Sequence, residues 1–117
     1  MLSTLAACSA KYGGTVKSGD AARWLYRTCG ISFAQNPVVV TNAAAAWRRP
    51  SGAMSGTVLV PETEMAAALE ALRMNRSLHI RGQSESRYSY ESYPEATPEQ
   101  ECELDTSLHV LYFRYRE

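Results

Sequence analysis

The chain has 117 residues, the length of about one domain, and balances twelve Lys or Arg against twelve Asp or Glu. That balance excludes a uniformly basic nucleic-acid binder and a uniformly acidic decoy, but not a protein with two oppositely charged faces. At 45% hydrophobic and 21% charged residues the composition is that of a globular chain, and no stretch approaches the roughly 18–20 apolar residues of a membrane span.

In chain order, residues 1–10 are small and apolar and read as a short helix or strand. Residues 11–19 hold Gly13, Gly14 and Gly19 and read as a loop, with Ser18 and Asp20 supplying helix N-cap chemistry. A helix follows, whose stripe Ala21, Trp24, Leu25 and Thr28 has helical spacing and whose end is marked by Gly30. Residues 31–33 suggest a short strand. The alanine-rich run 42–49 predicts a second helix, with a possible start at Pro37, stopped before Pro50. Residues 50–56 read as a loop.

The second half is more regular. Residues 56–60 predict a strand. Pro61 opens a helix with Glu62 and Glu64 in its first turn, the apolar stripe Met65, Ala68, Leu69 and Leu72, and Asn75 as its cap. Residues 77–82 and 87–93 alternate and predict two further strands, the second placing Tyr88 and Tyr90 together. Pro94 and Pro98 bracket a loop. Residues 107–116 predict a last strand, apolar on both faces and therefore central. These elements give a single α+β domain over residues 1–117: a mainly antiparallel sheet of about four strands with two to three helices packed on one face. Residues 1–55 are mainly helical and basic; residues 56–117 are β-α-β-β-β and acidic.

The zero net charge is built from unequal halves. Residues 1–60 carry six Lys or Arg and one acid, a net of +5; residues 61–117 carry six Arg and eleven acids, a net of −5. The negative half is concentrated between Glu85 and Asp105, where seven acids meet only Arg87 and Tyr88, Tyr90 and Tyr93 interleave. Tyrosine offers interfaces a large, stiff, amphipathic surface. Tyr88, Tyr90, Glu91, Tyr93, Glu95, Glu99, Glu101 and Glu103 are therefore the candidate protein-binding residues, and the implied partner is another protein with a basic surface. A plainer reading is a solvated segment whose acids pair with the basic half of the same fold.

Catalytic and metal signatures are weak. Residues 13–18 lack the Gly before Lys of a phosphate loop. His79 and His109 fall in predicted strands without the close ligand pairs of a zinc site. Cys102 lies between Glu101 and Glu103, which disfavours its thiolate, and Cys29 sits at the wrong end of a helix for activation. The expectation is a non-enzyme with no cofactor and no metal. Arg23, Arg27, Arg48 and Arg49 on two helices could contact nucleic acid, but the intervening segment is too long for a helix-turn-helix and the alanine-rich helix has few base-reading side chains.

In a reducing cytosol the three cysteines are small apolar groups or surface thiols. However, Leu5-Ala6-Ala7-Cys8-Ser9 resembles the lipobox of bacterial lipoproteins. That resemblance implies a lipid on Cys8 and leaves Cys29 and Cys102 an even pair, free to form a disulfide. Only seven residues precede Cys8, fewer than a basic stretch plus an apolar run of roughly 7–15 residues requires, so it also implies a start upstream.

Three readings stand. The first is a non-catalytic protein-binding module acting through the Tyr/Glu segment, such as a phage or mobile-element inhibitor of a host protein or virion component, in the host cytoplasm or the virion. The second is a bacterial envelope lipoprotein anchored at Cys8 with a Cys29–Cys102 disulfide. The third is a nucleic-acid contact through the Arg-bearing helices. A homo-oligomer is compatible with each.

Overall fold

The computed structural model describes residues 14–15, 18–48 and 51–116. The elements are β1 (Gly14–Thr15), α1 (Ser18–Cys29), β2 (Val39–Arg48), β3 (Ser51–Leu59), α2 (Glu62–Met74), β4 (Leu78–Gln83), β5 (Arg87–Ser92), β6 (Glu99–Asp105) and β7 (Val110–Arg116). All strands join one antiparallel sheet in the order β1-β2-β3-β7-β6-β5-β4. Both helices contribute to the single core on one face of that sheet.

The domain is broadly a small α+β domain, but its sheet has six full strands and the two-residue β1, not about four, and two helices lie among the described residues. Two segments account for the difference. The alanine-rich run expected as a helix is β2, so the described residues before 56 hold one helix, α1, and more strand than helix. Alanine favours helix in isolation, but the preceding Val38-Val39-Val40-Thr41 run is β-forming. The backbone is then held by the β2–β3 ladder, in which Ala44, Ala45 and Ala46 pair with Ser55, Met54 and Ala53. The expected 50–56 loop is accordingly the first part of β3. The acidic residues 99–105, read from sequence as part of a solvated segment and not as a strand, form β6. Residues 31–33 form no strand, and Ile31 instead enters the core.

Period-two alternation sorts the side chains. Met54 and Val58 of β3, Leu111, Phe113 and Tyr115 of β7, Cys102 and Leu104 of β6 and Tyr90 of β5 point to the helices and are buried. From α1 come Ala21, Leu25, Thr28 and Cys29, and from α2 Ala68 and Leu72. β7 lies between β3 and β6, as expected; its inner residues Leu111, Phe113 and Tyr115 are buried, whereas its outer face is mixed, with Val110, Tyr112, Arg114 and Arg116.

The C-terminal end of α1 is fixed by several bonds. Its orphan carbonyls are met by side chains: Gln100 Nε2 donates to Thr28 O at 3.1 Å, and Asn75 Nδ2 donates to Cys29 O at 3.0 Å. Gly30 follows at φ +76° and donates its N–H to Tyr26 O at 2.8 Å. A Cβ at Gly30 would also come within 3.2 Å of Asn75 Nδ2. Cys29 is bonded to Cys102 of β6, with Cα atoms 6.0 Å apart. No helix among the described residues is long and apolar enough to cross a membrane.

Candidate functional site

The Tyr/Glu segment is divided by the pleat of β5 and β6. Tyr88 and Tyr90 point inward; Tyr90 is a core residue and Tyr88 packs against the core. Tyr90 is therefore withdrawn from the surface, and Tyr88 is half-buried. Glu91, Glu99, Glu101 and Glu103 point to the opposite, helix-free face, where the cross-strand rows juxtapose Glu91 with Glu101, and Glu101 with Arg114.

Carboxylates in such rows repel unless cations separate them. Here the cations come from the neighbouring strands. Arg114 Nε lies 2.7 Å from Glu101 Oε2, and Arg81 Nη1 lies 3.1 Å from Glu101 Oε1. Arg81 also reaches Glu91 at 3.8 Å, and His79 Nε2 lies 3.7 Å from the same carboxylate. Arg116 pairs with Glu99 at 2.8 Å, and Ser89 Oγ donates to Glu103 at 2.7 Å. Among the described residues the acids are thus met by residues of β4, β5 and β7.

Five of the candidate residues do converge. Glu91, Tyr93, Glu95, Glu99 and Glu101, with Arg114, line an open cleft of about 440 Å³ under the β5–β6 connection. Tyr93 is 52% exposed and its ring centroid lies 4.6 Å from that of His79. Glu95 is exposed in the connecting loop at φ +70° and takes part in no ion pair among the described residues. The chemistry available is exchange: a partner's cation can bind Glu95 outright, or replace Arg81, Arg114 or Arg116 on an existing carboxylate.

Asp105 has another task. It starts the β6–β7 reversal and is mostly buried. Oδ1 accepts the backbone N–H of Leu108 at 2.9 Å and of Ser107 at 3.0 Å, together with the Ser107 hydroxyl. The Leu108 N–H is the largest cause holding its carboxyl below the usual 3.8; burial opposes this, and the Ser107 bonds and the charge of Arg87 assist.

The nucleic-acid candidates are dispersed. Arg23 and Arg27 are exposed on α1, and the Arg27 guanidinium carbon lies 5.2 Å from the centroids of both the Trp24 and Tyr115 rings. Arg48 ends a strand, not a helix, so the pair of Arg-bearing helices does not exist. Arg49, Cys8, the N-terminal segment 1–10 and most of the glycine loop lie outside the described residues. His109 stands in the β6–β7 turn at φ +57°, and β5 and β6 separate that turn's strand β7 from His79 on β4, so the two histidines do not meet. Among the described residues no group of three His, Cys, Asp or Glu side chains is placed to hold a metal.

Sequence reasoning missed the cations. Arg81, Arg114 and Arg116 are far from the acids in sequence, and only the strand order brings them together. The alternation of Gln100, Cys102 and Leu104 with the acids was the available signal that residues 99–105 are a strand with one buried face. No protein-family model matches this chain, and neither a curated protein nor a solved structure matches it.

Proposed function

We propose that this chain is a non-catalytic protein-binding domain of an oxidising compartment, the bacterial envelope, held there by lipid on Cys8. The observation that carries the reading is the Cys29–Cys102 bond, which joins the last residue of α1 to the middle of β6 with both sulfurs buried. Structural disulfides persist in oxidising compartments and are rare in the cytosol. Pairing Cys29 with Cys102 leaves Cys8 as the remaining cysteine, within the lipobox-like pentapeptide.

The contact surface is the outer face around the β5–β6 cleft, with Tyr93 and Glu95 as its accessible elements and a basic protein surface as its complement. A cytoplasmic inhibitor or virion component working through an unbroken acidic patch draws less support, because Glu91, Glu99 and Glu101 already hold Arg81, Arg116 and Arg114.

The test is a thiol count on the denatured, unreduced protein isolated from bacterial cells expressing the gene with its native upstream sequence. One free thiol or none, with membrane release on Cys8→Ala, is expected. Three free thiols overturn the compartment, and membrane association unchanged by Cys8→Ala overturns the anchor.

A further inference from the structure

We infer that the free edge of β4 is a strand-addition site for an extended segment alternating acidic and apolar residues. This rests on the sheet, not on the compartment proposed above. β4 is the last strand of the sheet, and no other described strand lies beside it. Its ladder phase can be read from one bond: Leu78 N–H donates to Asn75 O at 3.2 Å, so Leu78 does not donate to β5. Antiparallel pairs alternate between hydrogen-bonded and non-bonded. Leu78 opposite Ser92 is therefore a non-bonded pair, His79 opposite Glu91 a bonded one, and Ile80 opposite Tyr90 non-bonded again. The N–H and C=O of Ile80 accordingly face away from the sheet, ready for an added strand. The Ile80 side chain is 46% exposed, although its strand neighbour Leu78 is buried.

Charge selects the occupant. Between Glu70 and Glu85 the chain carries Arg73, Arg76 and Arg81 and no acid. Arg73 and Arg76, at the corner leading into β4, are exposed and make no ion pair among the described residues. A second copy is disfavoured: antiparallel self-pairing centred on Ile80 sets His79 opposite Arg81 of the other copy and brings the Arg73, Arg76 and Arg81 of both copies to one edge, with no acid between Glu70 and Glu85 to meet them. The irregular register between Ile80 and Gly82 further blunts indiscriminate pairing, as bulges on edge strands do. An acidic-apolar strand instead extends the charge rows of the outer face and covers Ile80 on the inner one, the mode in which backbone bonds give affinity and alternate side chains give specificity.

The probe is a peptide of alternating Glu and Val, with alternating Lys and Val as control, added to the oxidised full chain. Expected results are binding of the acidic peptide only, weakening with salt, and exchange of the Ile80 amide slowed by about tenfold or more at saturation. Ile80→Pro removes the outward N–H without removing a β4–β5 bond, and should weaken binding about tenfold. Should that variant not fold, Arg73→Glu with Arg76→Glu carries the test and should reverse the preference toward the Lys peptide. The inference is overturned by no binding, by equal binding of both peptides, by an unprotected Ile80 amide at saturation, or by an unchanged preference in the double variant. It is equally overturned if Ile80 is already protected by a second copy without peptide.

Discussion

Gly30 and Asp105 each hold a chain reversal, for different physical reasons. Gly30 adopts a positive φ that costs an L side chain roughly 1–2 kcal/mol, and its vacant Cβ position is where Asn75 approaches to bind the Cys29 carbonyl. Gly30→Ala is expected to lower unfolding free energy by about 1–2 kcal/mol, measured by urea titration. A neutral result would mean that both the turn and the Asn75 contact relax at no cost. Asp105 acts through its charge. Its carboxyl is lowered in the folded state, so its contribution is fully present above 3.8 and is lost as pH falls through the folded value. The urea midpoint should fall with acid, and in Asp105→Asn it should be lower at neutral pH but fall less steeply. Parallel curves for the two proteins would contradict this.

At the scale of elements, the helices were the most legible part of the sequence. The Ser18–Cys29 and Glu62–Met74 helices have their stripes, and the turn after Cys29 its glycine, where spacing placed them. These signals are local, and local physics decides them. β2 was not legible because strand pairing overrode the helical preference of alanine. β6 was hidden because four acids masked an alternation whose inner members are Gln100, Cys102 and Leu104. The candidate site was legible in composition but not in geometry, since two of its three tyrosines face the core and its cations come from other strands.

The ion-pair row on the outer face has a measurable worth. Glu101 is shared by Arg81 and Arg114, with all three side chains partly exposed, so solvent screening keeps each pair modest. A double-mutant cycle of Glu101→Gln and Arg114→Met should give a coupling of about 0.5–1 kcal/mol, shrinking at high salt. A coupling near zero at low salt would identify these contacts as incidental to the fold.

For the molecule as a whole, the Cys29–Cys102 bond spans a sequence separation of 73 residues. On the chain-entropy account, a loop of that length restricts the unfolded state by about 4 kcal/mol. Replacing both cysteines by Ala should lower unfolding free energy by up to about that amount, whereas the buried position of both sulfurs should make the folded protein slow to react with reductant. Rapid reduction of the folded chain would show that α1 detaches readily from β6.

The position of β7 carries a consequence for cooperativity. The last of the described strands in sequence is the middle strand of the sheet, where it joins the β2–β3 hairpin to the β4–β6 meander. Without residues 110–116, β3 and β6 each present an unsatisfied edge and the core beneath them has no Phe113. A chain that stops before residue 110 therefore lacks the strand that couples the two halves of the sheet. Joining the two halves of the sheet into one cooperative unit is thus expected to require residues 110–116, and a chain truncated before them should unfold in urea without a sharp transition.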